Sequence, residues 1–335
     1  SENLGPTICV QMDYSNMHSL TNLPTEVLLK VLTYLPAKDI SKCRKVSRKL
    51  NTVVESFPFH LQRTRCRLEA RCGESLSLAV RRSDSSTVTE LTSEMLSQIC
   101  RMEVSELTIT SSGNTLSHDS AVAKILKILE KSKQNSIKIV NVRGICLQNP
   151  VLAQGLLSQF STSFIQELNL WCPISKQLTP KHIAVMDSLC QLRIAKDQEN
   201  QISKDSADSV VLKFAHDMRY KLRIGIPFVA EINELSPEVV VRLIKEWIFI
   251  PESSVFQIAF TGCDHEWLIR FAEICEQEQL RHTFYEFPSK TNPYSHIKMK
   301  IHEESNSCVI FPIKDVPARS PIQNYVCFAR YYRDF

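Results

Sequence analysis

Apolar residues near the start of the chain recur at helical spacing. Five of them form a stripe along one side of a helix: Val27, Leu28, Val31, Leu32 and Leu35. Pro24 suits the first turn of such a helix, where the missing N–H costs little, and Pro36 disfavours its continuation. The pattern therefore predicts a helix that begins near residue 24 and ends at residue 35.

Two further short helices are predicted directly after it. Asp39 is a suitable N-cap for a second helix, and Ser47 is suitable for a third. The apolar residues of these two helices are Ile40, Cys43, Val46, Leu50, Val53 and Val54. A unit of about forty residues lies at the lower limit of independent stability, so we expect this three-helix module to need a partner surface.

The rest of the chain alternates between strand-like and helix-like patterns. We predict strands at 104–110, 136–142, 165–171, 189–195, 221–227, 255–261 and 296–302. We predict helices at 92–103, 120–133, 150–160, 179–189, 205–218, 236–248 and 265–277. The first six strand starts lie 24 to 34 residues apart, which favours an array of α/β repeats with a parallel sheet.

Several of these strands follow the leucine-rich spacing L-x-x-L-x-L. The apolar triplets are Val104/Leu107/Ile109, Ile165/Leu168/Leu170, Leu189/Leu192/Ile194 and, more loosely, Ile137/Val140/Val142. The Asn or Cys of a regular repeat is absent or shifted, as at Cys172, so the repeats are irregular. After residue 296 two alternating runs surround a polar turn, which predicts a C-terminal β-hairpin.

Positive charge is concentrated near the N-terminus. The whole chain has a net charge of +4, but residues 19–82 contain thirteen basic and five acidic residues. This asymmetry favours an acidic partner, either a protein or a nucleic acid. We therefore treat residues 61–90 as a basic bridge between the module at 20–60 and a repeat domain at 91–335, with a flexible N-terminal segment at 1–19.

The module resembles an F-box. The residues that carry the resemblance run from Leu23-Pro24-x-Glu26-Val27-Leu28 through Val31, Leu32, Leu35, Asp39 and Ile40 to Val46-Ser47-Arg48-Lys49-Leu50. Leu50 departs from the family, which usually has Trp at this position. Residues 234–260 are also similar to the FTH-type F-box-associated region, in which a helix ending in Trp-Ile leads to a strand containing Phe.

The resemblance implies a fold class and a function. The fold would be α/β: a three-helix F-box, then an irregular leucine-rich-like repeat array closed by the hairpin. The chain would be the non-catalytic substrate receptor of a Skp–cullin–F-box ubiquitin ligase, binding a Skp-type adaptor and, through it, a cullin. The implied adaptor-binding residues are Leu23, Pro24, Glu26, Val27, Leu28, Val31, Leu32, Leu35, Asp39, Ile40, Val46 and Leu50. The repeat domain would hold an unidentified target protein.

Two groups of residues also fit other functions. The basic run 42–49 also fits a nucleic-acid-binding helix, although Ser47 interrupts it. Cys263 and His265 could form a nucleophilic pair, but the turn that contains them is better explained by Asp264 as a helix N-cap. Cys263, His265, Cys275 and His282 could also bind zinc, but their spacing matches no familiar zinc pattern. We expect no catalytic residue, metal or cofactor.

Composition adds two expectations. The chain contains no GxGxxG or GxxxxGK[ST] motif, so a phosphate-binding loop is not expected. It also contains no basic-then-apolar leader and no apolar run of 18 residues, so we expect a cytoplasmic or nuclear protein without a membrane span. The twelve cysteines are scattered along the chain and are expected to be mostly small buried hydrophobes.

Overall fold

A computed structural model describes residues 23–57, 61–82, 88–91, 102–111, 117–131, 137–194, 200–223, 227–250 and 256–314. The helices of this part are α1 Thr25–Thr33, α2 Ala37–Val46, α3 Arg48–Ser56, α4 Asp119–Lys131, α5 Pro150–Ser161, α6 Pro180–Ala184, α7 Lys204–Arg223, α8 Pro237–Trp247 and α9 His265–Gln277. Two short 3-10 helices lie at Pro173–Gln177 and Glu303–Ser305. The strands are β1 Thr64–Cys72, β2 Leu76–Arg82, β3 Val88–Glu90, β4 Met102–Ser111, β5 Ile139–Arg143, β6 Glu167–Trp171, β7 Gln191–Ile194, β8 Phe228–Glu231, β9 Phe256–Thr261, β10 Glu286–Pro288, β11 Ser295–His302 and β12 Ser307–Lys314.

The described strands form one sheet of twelve. Their order is β10-β11-β12-β9-β8-β7-β6-β5-β4-β1-β2-β3. The seven central strands, β1 and β4 to β9, are parallel to one another, and every pairing outside this group is antiparallel. Each crossover from β4 to β9 moves one strand in the same direction, and crossovers share a right hand, so the connecting helices lie on one face of the sheet. The mixed α/β fold and the C-terminal hairpin, β11 with β12, are confirmed.

The apolar triplets of the sequence stack in register across the parallel strands. One layer runs Leu107, Val140, Leu168 and Leu192, and the next runs Ile109, Val142, Leu170 and Ile194. All eight side chains are buried, on the face that the helices cover. Alternation with period two places every second residue in this core, which is why a weak pattern repeated on several strands gives one continuous apolar layer.

The opposite face of the sheet carries mostly polar residues, and we call it the open face. On strands β1 to β8 its charged residues are six arginines and six glutamates: Arg65, Arg67, Arg71, Arg81, Arg143, Arg193, Glu69, Glu90, Glu103, Glu106, Glu167 and Glu231. Its centre is a ladder of amides, in which Asn169 Nδ2 donates to Asn141 Oδ1 at 2.8 Å and Gln191 Nε2 donates to Asn169 Oδ1 at 3.3 Å.

The three-helix module has a small core of its own. Its buried residues are Leu28, Leu32, Ile40, Leu50, Val53 and Leu61. The much larger core of the sheet and its helices contains none of these residues. The module and the sheet therefore bury separate sets of apolar side chains.

Some predictions of individual elements were wrong. No strand was predicted between 61 and 90, yet β1, β2 and β3 lie there, because Cys66, Leu68 and Ala70 alternate with charged residues and bury one face. Of the strand predicted at 221–227, residues 221–223 are instead the end of α7, and residues 224–226 lie outside the described residues. The strand of this region is β8, where Phe228 and Ala230 are the buried alternating residues. The helix predicted at 179–189 is the short α6, Pro180–Ala184.

Further predictions concern residues outside the described ranges and the N-caps of α2 and α3. Residues 92–101 of the helix predicted at 92–103 and the segment 1–19 lie outside the described residues, while Met102 and Glu103 begin β4. Asp39 does not cap α2, because Pro36 occupies the N-cap position and Asp39 lies in the first turn. Ser47 does precede α3, but its side chain makes no capping hydrogen bond.

Candidate functional site

Helix α1 presents two different apolar stripes. Leu28 and Leu32 point into the core of the module, with 0% and 2% of their surface exposed. Val27 and Val31 are 43% and 39% exposed. Because residues four apart lie on the same side of a helix, Val27 and Val31 form a second stripe beside the buried one. The module therefore keeps apolar surface in solvent after its own core is complete.

The outer stripe extends to both ends of the helix. Pro24 is exposed at the N-cap position of α1, three residues before Val27. Tyr34 follows Val31 by three residues and is 76% exposed at the C-cap position. Sequence reasoning missed Tyr34, although its spacing of three and seven residues from the two valines was a signal for the same side of the helix. We call Pro24, Val27, Val31 and Tyr34 the α1 stripe.

Burial divides the twelve predicted adaptor-binding residues. Leu28, Leu32, Ile40 and Leu50 are buried in the free module. Leu23, Leu35 and Asp39 are half-buried, and the exposed residues are Pro24, Glu26, Val27, Val31 and Val46. A contact with the adaptor stays a prediction for the whole set, but only the exposed and half-buried residues offer surface without a rearrangement of the module.

Leu50 takes the place of the family's usual Trp and is only 6% exposed. It lies on α3 among the buried residues of the module core. The neighbouring Lys49 Nζ donates to the backbone oxygen of Leu23 at 2.9 Å, which ties the start of α3 to the residue before α1. A leucine is therefore large enough here to close the core of this module.

Three of the five cations in the basic run 42–49 contact oxygens of the module: Lys42, Arg44 and Lys49. Arg44 on α2 donates to Asn51 Oδ1 at 2.9 Å and to Glu55 Oε1 at 3.1 Å, both on α3. Lys42 Nζ lies 3.0 Å from the carboxylate of Asp39, one turn earlier. Arg44 thus holds two helices together, and these cations are already engaged with oxygens of the module.

Cys263 and His265 do not form a reactive pair. Cys263 is buried and its thiol contacts that of Cys308, whose pKa is raised by burial and by this neighbour, whereas His265 is exposed. Asp264 Oδ1 accepts from the backbone N–H of Trp267 at 2.9 Å, so the predicted N-cap of α9 is confirmed. Among the described residues, no group of three or more His, Cys, Asp or Glu is placed to bind a metal ion.

A serine–histidine pair that the sequence did not indicate lies at the ends of β4 and β5. His118 is buried, and its Nε2 lies 3.0 Å from Ser111 Oγ. Its Nδ1 lies 3.1 Å from the backbone nitrogen and 3.2 Å from the backbone oxygen of Cys146. Through its two ring nitrogens His118 thus connects the end of β4 to the loop that follows β5.

Comparison with known proteins identifies the module. Residues 20–62 match the family model described as the F-box domain. Neither the curated proteins nor the solved structures contain a match to this chain. In the described part of the chain, no helix has both the length and the apolar character that crossing a membrane requires.

Proposed function

Because this chain carries an F-box domain at residues 20–62, we propose that it is the substrate-receptor subunit of a Skp–cullin–F-box ubiquitin ligase. An F-box domain implies binding to a Skp-type adaptor, and the adaptor would link the chain to a cullin. The α/β domain after the module would recruit the target protein. The chain would supply no reacting side chain of its own.

The α1 stripe is the observation that supports this function best. A module without a binding partner would be expected to have polar residues on the outer side of α1. Instead, Val27, Val31 and Tyr34 are exposed there. Burial of an aliphatic side chain contributes about 1.5–3 kcal/mol when complete, so these residues are a substantial source of binding energy for a partner that covers them. We assign the adaptor contact to this stripe.

The exposed cations of the module suit the same role. Lys38, Lys45 and Arg48 are exposed at the ends of α2 and α3. Such charges at the rim of an interface accelerate encounter and orient the partner more than they add affinity. The contacts of Lys42, Arg44 and Lys49 within the module make the alternative, nucleic-acid binding by this run, less favourable.

The mechanism of a receptor is proximity. Tethering a target to the ligase turns the encounter between the target and the ubiquitin-carrying enzyme into an intramolecular one, with an effective concentration set by geometry. This mechanism needs two separate binding surfaces. The separate cores of the module and the sheet are consistent with one surface on each.

Binding of purified Skp-type adaptor to the full chain tests the proposal. The variant Val31→Asp/Tyr34→Asp places two charges in the stripe, and we expect it to bind at least about thirtyfold more weakly, as for a loss of about 2 kcal/mol or more at a central interface residue. Leu28 is unsuitable for this test because it is buried and its replacement would unfold the module.

The matched control is Ser41→Asp/Ser56→Asp, which adds the same charge at exposed positions of α2 and α3. We expect it to bind the adaptor as the unmodified chain does. Circular dichroism of all three proteins verifies that the helices are retained. If the unmodified chain fails to bind the adaptor, or if the stripe variant binds as well as the control, the proposal is wrong.

A further inference from the structure

The open face ends in a row of four residues at the carboxyl ends of neighbouring strands. In register across β1, β4, β5 and β6, the row contains Arg71, Thr110, Arg143 and Trp171. Adjacent strands lie about 4.8 Å apart, so the row is about 14 Å long. Both arginines are exposed, and the other two side chains are half-buried. We call these four residues the edge row.

The two arginines of the edge row differ from the other arginines near them. Arg65, Arg67 and Arg193 also lie on the open face, and each guanidinium is 2.9 to 3.5 Å from a glutamate carboxylate of the neighbouring strand. Among the described residues, no carboxylate pairs with Arg71 or Arg143. The edge row thus keeps two cations that no carboxylate of the described residues neutralises.

Arg143 is also held in position. Its guanidinium carbon lies 4.7 Å from the centre of the Trp171 ring, in a cation–π arrangement. Stacking on the indole limits the side-chain freedom that binding would otherwise remove, while the N–H groups around the guanidinium edge point in its own plane. Such an arginine is arranged to donate paired hydrogen bonds to a carboxylate.

The charges of the rest of the open face limit the size of the anion. On strands β1 to β8 this face has as many glutamates as arginines, so it is neutral as a whole. A nucleic acid needs a continuous run of cations along its phosphates. On the open face it would meet Glu69, one same-face position before Arg71, and Glu167, two same-face positions before Trp171. A short segment with two or three carboxylates fits the row without this repulsion.

We propose that the edge row binds an acidic segment of the target protein, with Arg71 and Arg143 donating to its carboxylates and Thr110 and Trp171 lying between and beside them. This inference rests on the proposed function, because it identifies the chemistry of the target that the receptor recruits. The adaptor and the target would then occupy surfaces of opposite character, one apolar and one cationic.

A fluorescein-labelled hexaglutamate peptide is the probe for this site. We expect the full chain to bind it at low salt, and Arg71→Glu/Arg143→Glu to weaken binding at least tenfold. The neutral variant Arg71→Gln/Arg143→Gln should give an intermediate loss, and it serves if charge reversal impairs folding. The matched control is Lys181→Glu/Arg242→Glu, which reverses two exposed cations at helices α6 and α8 and should bind as the unmodified chain does.

Three results would overturn the inference. They are no binding of hexaglutamate by the unmodified chain, equal loss in the control variant, and tighter binding of a single-stranded DNA decamer that the same two arginines mediate. The adaptor assay separates this inference from the proposed function. If the unmodified chain and the Arg71→Glu/Arg143→Glu variant both bind the adaptor but the unmodified chain does not bind hexaglutamate, only the edge-row inference is refuted. If the unmodified chain does not bind the adaptor, the receptor function is refuted.

Discussion

Truncation of Leu28 to alanine is expected to unfold the three-helix module. Leu28 has no exposed surface and is one of six buried residues in the module core. A buried Leu→Ala change costs about 2–5 kcal/mol, made up of lost transfer energy and the cavity left behind. A unit of about forty residues has only a few kcal/mol of stability of its own, so this loss is comparable to the whole.

Hydrogen exchange measured by mass spectrometry can localise this effect. In Leu28→Ala we expect amide protection in α1, α2 and α3 to fall roughly thirtyfold to a few thousandfold, or to the unprotected rate, which corresponds to 2–5 kcal/mol. Protection in β4 to β9 should not change, because the core of the sheet contains no residue of the module core.

Val31→Ala on the same helix is the control for this experiment. Val31 is exposed, so its truncation should change stability by about 0.5 kcal/mol or less. If Leu28→Ala and Val31→Ala lose the same protection, the division of α1 into an inner and an outer stripe is wrong. If protection in the sheet falls together with that of the module, the two cores are not energetically separate.

Two further predictions concern the cap of α9 and the thiols. Asp264→Ala should lower the free energy of unfolding by about 1 kcal/mol in urea denaturation, whereas Asp264→Asn, which retains a capping oxygen, should lose much less; equal losses would refute the cap. Iodoacetamide at pH 7 should label the exposed Cys146 before Cys66 or Cys172, because burial raises the pKa of these two thiols to about 11 and 12 and leaves little thiolate. Mass spectrometry of the native protein verifies the order, and labelling of Cys66 at the rate of Cys146 would contradict it.

Periodicity predicted the elements whose apolar residues face one way. The triplet Val104/Leu107/Ile109 places a strand correctly because all three side chains lie on the buried face of the sheet. In 64–72 the alternation is equally regular, but four of the intervening positions are charged, so the composition of this segment indicates a charged connection more strongly than a strand. A predicted bridge was therefore a part of the sheet.

The division of α1 could not be predicted in the same way. Val27 and Leu28 are both apolar and adjacent, so composition gives no reason to assign one to the core and the other to solvent. Whether each of these residues is buried depends on where α2 and α3 pack. That packing depends on contacts between residues distant in sequence, such as Lys49 with Leu23. The edge row likewise requires the strand register, because Arg71 and Trp171 are one hundred positions apart in the chain and become members of one row only when four strands pair.

The two stripes of α1 couple folding of the module to its proposed partner. A ligand that binds only the folded state stabilises it by RT ln(1 + [L]/Kd), or about 2.7 kcal/mol at a hundredfold excess over Kd. This gain is similar to the stability expected of so small a core and to the loss expected from one buried leucine. An adaptor that covers Val27, Val31 and Tyr34 would therefore provide, from outside, a share of the apolar burial that six core residues cannot provide alone. In the free chain these side chains would then be exposed because α1 contributes one stripe to the core of the module and the other to the interface with the adaptor.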